Sequence, residues 1–365
     1  MEKTLKPVFV KSPDDTVFLR IKKRVSDKVR ELEPRRRATI VFKAILFPLV
    51  YIAAYVLALC YGRQSAVLYG AYFLMGIMLV LIFLNQIHDA VHGVLWKSPR
   101  LNKLYVHFFD LMGANSYVWK VRHTRLHHNY PNIMGWDSDI EQSTLARIFP
   151  HGPFSRIHRY QHIYLPLIYP LYLLNWLLVR DFKDFFNRSK PVWKVVDIPR
   201  SEYIKLFIFK AFFLFYIIVL PVLVLKISLW KAIGVFLIMM FTASIFSLLV
   251  LLSPHANTEN EFPLPDERLL IGHPWFVHQI RNTNDVIHDN WFIRFFMGSF
   301  NYHVVHHLFP KVNHVFYPEA TAILREEAAR HNLPYHSYPL VTTLVNHYRL
   351  LKQNRIPENI FEETM

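Results

Sequence analysis

Long apolar runs interrupt this chain, and their lengths set the first expectation. Four of them, Ala44 to Gly62, Ala66 to Ile87, Leu206 to Leu225 and Ala232 to Ser253, hold no charged residue except Lys210. Each is long enough to cross a hydrocarbon core of about 30 Å as a helix. Short polar turns join them in pairs, Arg63 to Ser65 in the first and Lys226 to Lys231 in the second. The pattern predicts two hairpins, each returning to the side it left.

Basic residues orient these hairpins, because Lys and Arg collect in cytoplasmic loops. The turns carry only Arg63, Lys226 and Lys231. Facing the other way are an N-terminal segment with RIKKR (Arg20 to Arg24) and Arg35 to Arg37, the middle segment Asp89 to Lys205, and the C-terminal third. Those parts are expected in the cytoplasm. The resulting division is a basic cytoplasmic segment (1–43), a membrane domain (44–339) and a cytoplasmic tail (340–365).

Composition agrees, since 53% hydrophobic and 16% aromatic content in 365 residues is too apolar for an ordinary soluble enzyme. The net charge of +15 raises nucleic acid as a partner. The basic runs lie beside the apolar ones and no nucleic-acid module is evident, so anionic lipid headgroups are the expected counterpart. The opening residues lack the short apolar core and cleavage site of a secretory signal, so the N-terminus is expected to stay in the cytoplasm. A single cysteine, Cys60, excludes an intrachain disulfide and any cysteine-based metal motif.

The candidate chemistry lies in histidines. His303, His306 and His307 fall within five residues, and two more clusters precede them: His88 with His92, and His123 with His127 and His128. On an α-helix residues four apart share a face, so His88 faces with His92 and His123 with His127, while neighbours diverge by about 100°. An adjacent pair can serve two metals, or one metal and an outer partner. The bland alternative for any one cluster is a helix end with incidental histidines. Eight imidazoles in three sets exceed what one tetrahedral zinc accepts, so two metals fit better. Imidazole suits iron, copper, nickel and zinc alike. No Glu-x-x-His pair of the soluble di-iron bundles occurs, so the site is histidine-dominated. His255, directly after the fourth run, is a ninth candidate at the same depth as His88. The others, including His107, His158, His162, His278 and His314, are structural or outer-sphere by default.

A single site using all three clusters requires them on one side of the membrane. Tyr160 to Val179 is long and uncharged enough to span, but crossing would place the third cluster opposite the first two. With Pro166, Pro170 and a run of Tyr and Trp, it is expected to lie in the interface or to re-enter, as is Leu104 to Trp119.

From roughly Leu84 to Pro339 the chain resembles the membrane fatty acid desaturases, and within them the bacterial linoleoyl-CoA desaturase-like branch. The resemblance rests on three histidine boxes in order and on the surrounding stretches HHNYPNIMGWDSDIE, HANTENEFP, HQIRNTND and FNYHVVHHLFPKVNHVFYP. It implies an all-α integral membrane protein, its four transmembrane helices in two hairpins, with interfacial helices and a cytoplasmic helical cap over a dimetal site. It implies two iron ions that use dioxygen and two electrons to introduce a cis double bond into an acyl chain carried by CoA, a carrier protein or a lipid. His88, His92, His123, His127, His128, His303, His306 and His307 take the box positions as catalytic metal ligands. His255 matches the additional histidine after the second hairpin. His278 falls in a family motif with no assigned role. Asp89, Asp137 and Asp139 are candidates to orient the ligands, with capping or solvent-exposed carboxylates as the alternative.

Front-end relatives begin the third box with Gln where this chain has His303, which leaves the regiochemistry open. The chain has neither the His-Pro-Gly-Gly of a fused cytochrome b5 nor a Gly-x-Gly-x-x-Gly nucleotide fingerprint. Electrons are therefore expected from a separate ferredoxin or cytochrome on the basic cytoplasmic face, with a bacterial inner membrane as the setting. A hydroxylase using the same metals is the near alternative. A zinc hydrolase or metal transporter is a distant one, lacking His-Glu-x-x-His and mid-span ionisable groups.

Overall fold

The computed structural model describes residues 5–12, 14–141, 143–252 and 254–357. Residues 1–4, Ser253 at the end of the fourth expected span and residues 358–365 of the expected tail lie outside the described residues. The protein is mostly helical, and five helices are long and apolar enough to cross a membrane: Asp15–Tyr61, Ser65–Val91, Arg156–Lys194, Arg200–Leu225 and Leu229–Leu251. Four match the four expected runs, two of which end one or two residues beyond their helix, at Gly62 and at Leu252–Ser253. The fifth contains Tyr160 to Val179 and meets the same standard by length and composition.

The first helix runs unbroken for 48 residues and carries two environments. In its apolar half Ala44, Phe47, Tyr51, Ala54 and Ala58 face inward, while Ile45, Leu49, Ile52 and Val56 are at least half exposed. An outer face as apolar as the inner one is expected of a helix whose solvent is lipid. The second and fourth apolar helices approach closely at Gly76, where an added Cβ would lie 2.5 Å from the Met239 carbonyl oxygen. Small residues permit this backbone contact between membrane helices.

The other half of the first helix lies across a cap built from helices Trp275–Arg281, His303–Leu308 and Tyr317–His331. Val17, Ile21 and Val25 join Phe276, Val305 and Leu324 in one apolar cluster. Arg24 pairs with Glu326 and Glu327, and Arg36 with Glu319. Helix Leu340–Gln353 packs on Gln161–Ile168 through Leu165, Leu350 and Leu351.

The all-α expectation needs one amendment. Val8–Phe9 pairs in parallel with Leu270–Ile271, and Asp285–Val286 with Ser337–Tyr338. Two residues are too few to show an alternating pattern in a sequence. These bridges join distant extended segments around the cap.

Two π-helical turns bear on function. Phe83–Ile87 precedes the first histidine box, and Arg122–His127 carries most of the second. Such turns insert an extra residue into the helical ladder and occur at functional sites. Gly298, with φ of +59°, lets the approach to the third box pass under the second span, where a Cβ would sit 3.1 Å from the Leu84 carbonyl oxygen.

Candidate metal centre

All nine histidines singled out in the sequence converge at the junction of the hairpins and the cap, every one of them 9% exposed or less. They divide into two lobes, with His128 of the first also close to His307 of the second. Nε2 of His88 lies 3.1 Å from Nε2 of His306 and 3.1 Å from that of His123, which is also 3.1 Å from Nε2 of His92 and of His128. The second lobe is His127, His255, His303 and His307, whose ligand atoms all lie within 4.8 Å of one another. Within it the Nε2 atoms of His303 and His255 are 3.0 Å apart.

The π turn decides which histidine joins which lobe. The His128 amide donates to the His123 carbonyl, a five-residue step, at 3.0 Å. This brings His123 and His128 to the same lobe and sends His127 to the other. His123 and His127 share a face as expected, their rings stacked 5.7 Å apart, but the extra residue leaves them in different lobes. In the third box the helix is regular, so His303 and His307 share a lobe and His306 enters the first.

Outer hydrogen bonds fix the rings with Nε2 inward. Nδ1–H of His127 donates to Asp137 at 2.9 Å and that of His123 to Asp139 at 3.3 Å. His306 bonds the Tyr317 hydroxyl at 3.1 Å, His307 the Gln279 side-chain oxygen at 3.0 Å, and His255 the Asn282 carbonyl at 3.1 Å. The His307 Nε2 is buried with no partner among the described residues. Burial pushes His92, His128, His255, His303, His306 and His307 well below the ordinary imidazole range. They are held neutral, the form that binds metal. Burial acts on His127 in the same direction, but Asp137 and then Asp139 outweigh it and raise this ring.

Asp139 is itself pinned. Burial opposes its ionisation, yet the hydrogen bond from His123 and the charge of Arg180, 3.1 Å away, hold it well below the carboxylate range. Arg180 and the fully buried Arg122 flank the Trp176 ring at 4.5 and 4.8 Å. Trp119 stacks on His123 at 5.2 Å between ring centroids.

Asp89 takes a different position. Its carboxylate accepts from His314 Nδ1 and Asn313 Nδ2, both at 2.6 Å, and Lys43 donates to His314 Nε2 at 2.7 Å. It ties the first box to the segment after the third and meets no cluster ring directly. His278 stands outside the cluster, its Nε2 3.0 Å from the Pro131 carbonyl oxygen. It also contacts Asn282, whose carbonyl receives His255. His107 bonds Asp110 and His158 the Thr144 carbonyl, away from the cluster. Gln279, Asn282 and Tyr317 escaped the sequence reading, although Gln279 and Asn282 stand inside HQIRNTND and Tyr317 follows the third box.

The donor set fits metal. Two ligands at 90° about an ion with bonds of about 2.1 Å have nitrogens roughly 3.0 Å apart, whereas a tetrahedral angle gives roughly 3.4 Å. The observed contacts of 3.0–3.1 Å match the former. An apolar cavity of about 450 Å³ borders five of the rings, passing Phe83, Trp119 and Phe300. A smaller hollow of about 70 Å³ lies deeper between the hairpins and shares Phe83, Tyr172, Trp176 and Leu251 with it.

Comparison with known proteins supplies the family. A profile described as fatty acid desaturase matches residues 64–339, which include all three boxes. This chain belongs to the fatty acid desaturase family. It is 33% identical over 258 residues to an sn-1 linoleoyl-lipid 6-desaturase of Arthrospira platensis, covering 69% of this chain and 68% of that protein. A protein of the same name from Synechocystis sp. is 28% identical, covering 86% of this chain and 83% of its own length. An acyl-lipid (8-3)-desaturase of Physcomitrium patens is 28% identical, covering 96% of this chain and 74% of that protein. The desaturase is thus a membrane oxidoreductase of lipid metabolism, and a hydroxylase reading is not favoured.

Proposed function

We propose that this desaturase inserts a cis double bond into the acyl chain of a membrane lipid, with two iron ions held by the nine histidines. The observation that carries this reading is the two-lobed, buried histidine cluster on the wall of an apolar cavity. Iron is favoured over zinc because the nitrogen spacings suit ligands near 90°. Lobe one would take its ion through His88, His92, His123, His128 and His306, and lobe two through His127, His255, His303 and His307.

When bound, the metal pair supplies dioxygen activation and oxidising power that no side chain here possesses. The balance is two C–H bonds broken and one C=C formed, with dioxygen, the two substrate hydrogens, two electrons from the donor and two protons becoming two waters. The chain's own residues hold the acyl chain. Phe83, Trp119 and Phe300 confine it beside His88 and His123, the deeper hollow accepts what lies beyond, and the apolar walls exclude water. Asp137, Asp139, Gln279, Asn282 and Tyr317 keep the imidazoles in the right tautomer and orientation. A lipid-borne substrate is favoured by the names of the relatives.

The proposed topology has four crossings, with Arg156–Lys194 re-entrant and the cluster on the cytoplasmic side of a bacterial inner membrane. Three contacts support a V-shaped path for that segment. Gln161 bonds the Leu351 carbonyl of helix Leu340–Gln353, the Leu173 amide reaches Ser244 within helix Leu229–Leu251, and Arg180 returns to Ser138 and Asp139 beside the cluster. Lys210 finds Asp181 of the same segment at 2.9 Å. Four crossings leave all three boxes on one side; five would not.

The test is expression of the full chain in a host of known lipid composition, with fatty acid methyl esters compared by mass spectrometry and metal measured in the purified protein. A new double bond with iron bound is expected. A hydroxylated acid, or zinc with no oxygen-dependent product, overturns the reading.

A further inference from the structure

A separate cavity, of about 550 Å³, lies where the first helix meets helix Trp291–Phe295 and the approach to the third box. Arg36, Lys43 and Arg294 line it, and among the described residues no carboxylate does. None of the nine histidines borders it, so it is distinct from the acyl cavity.

Two of its liners are buried polar side chains short of acceptors. Lys43 is 1% exposed, and the three N–H groups of its ammonium meet His314 Nε2 at 2.7 Å and, at the limit of a hydrogen bond, the Arg294 carbonyl at 3.5 Å. Ser299 is also 1% exposed, and its hydroxyl has no hydrogen-bond partner among the described residues. Its φ of +51° lies where glycine is favoured, yet the chain keeps a hydroxyl there. Arg36 is held by Glu319 and the Val315 carbonyl, and Arg294 pairs with Asp289 through Nε and Nη2, which leaves its Nη1 outside that pair. Donors of this kind around one space call for an anion with several oxygens, because a buried polar group without a partner is costly.

The position of the cavity identifies its occupant. Lys43 immediately precedes the apolar run that begins at Ala44, which sets the cavity at headgroup depth. Its rim is apolar and open: Phe42 is 55% and Trp291 68% exposed, and beside them Ile45 and Phe292 are at least half exposed. Tryptophan and basic residues gather at the membrane interface, and basic pockets beside membrane helices bind anionic headgroups. We propose that this cavity binds the phosphodiester headgroup of an anionic phospholipid through Lys43, Ser299 and Arg294, with the acyl chains of that lipid lying on Phe42 and Ile45. The lipid is a bound component of the fold, distinct from the substrate. By joining the first helix to the segment that leads into the third box, it fastens the cap to the bilayer.

The test needs no turnover and so stands apart from the desaturase reading. The full chain, delipidated in a neutral detergent, is titrated with dioleoyl phosphatidylglycerol, dioleoyl phosphatidylcholine or soluble glycerophosphate, and bound molecules are counted by native mass spectrometry. One phosphatidylglycerol per chain should be retained, on the order of tenfold more tightly than phosphatidylcholine. Ser299→Ala combined with Arg294→Gln, which leaves Lys43 in place, should lose that preference with a parental melting temperature. Lys43→Gln should lose it too, Lys43→Arg should keep it, and Arg268→Gln, an exposed cation elsewhere, should match the parent. A parent that does not prefer phosphatidylglycerol overturns the assignment, as does an unchanged preference in the double variant. Glycerophosphate bound as tightly as the lipid also overturns it, because the cavity would then be a site for a soluble anion.

Discussion

Gln279→Leu tests whether the outer hydrogen bonds set the metal lobes. Gln279 is fully buried, accepts Nδ1–H of His307 at 3.0 Å, and donates to the His128 carbonyl at 3.3 Å. Leucine keeps most of the volume but removes the acceptor, leaving a buried N–H whose desolvation costs about 1–3 kcal/mol. Moving its proton to Nε2 only shifts the unpartnered buried N–H to the other nitrogen and disables that atom as a ligand. Loss of such an outer partner lowers metal affinity about 10–100-fold, or about 1.4–2.7 kcal/mol. His307 belongs to lobe two, and none of the five rings of lobe one hydrogen-bonds the Gln279 side chain except through the His128 backbone. Iron per chain, measured by mass spectrometry after dialysis against a weak chelator, should therefore fall from two toward one, with product formation down at least tenfold. Gln279→Glu keeps the acceptor and should retain both ions. Two ions and parental turnover in the leucine variant would refute the reasoning; equal loss in the glutamate variant would point to shape instead.

Four further outcomes are expected. His306→Ala and His307→Ala should each abolish product and lower bound iron with membrane expression intact, His303→Gln should be milder, and His331→Ala should match the parent; iron analysis and product assay decide. A tag at Gln64 should label from outside the cell and one between Phe182 and Ser189 should not. Leu251→Trp, at the junction of cavity and deep hollow, should shift product toward shorter acyl chains by mass spectrometry. His347 is buried and donates to the Ala256 carbonyl, and burial lowers it to about 4. Its contribution is complete above the unfolded value of about 6.5 and is lost as pH falls through 4, where it costs about 3 kcal/mol; His347→Gln should flatten the melting temperature over that range.

Much of this was legible because hydrophobic length and histidine spacing are local properties. The four apolar runs reappear as long helices, and the nine histidines lie together. Local spacing was incomplete at the second box, where His123 and His127 stack on one face as expected but a π turn also brings His128 beside His123; nothing in RHTRLH announces a five-residue step. Asp89 stood beside His88 in sequence and invited a role there, yet its partners His314 and Asn313 come from the far end of the chain. Gln279 and Tyr317 were invisible as ring supports because only tertiary folding brings them to His307 and His306. The two-residue strands carry too little pattern to be read.

The division of each lobe among distant parts of the chain also bears on how the protein is made. Lobe one takes histidines from both sides of the second hairpin, residues 88 to 128 and residue 306, and lobe two takes from residue 127 to residue 307. With the four crossings proposed above, neither lobe could close while the second hairpin is still being synthesised, and an inverted hairpin would strand part of each lobe across the bilayer. On the proposed topology metal retention would report on membrane insertion: a chain that holds two ions would have threaded both hairpins correctly.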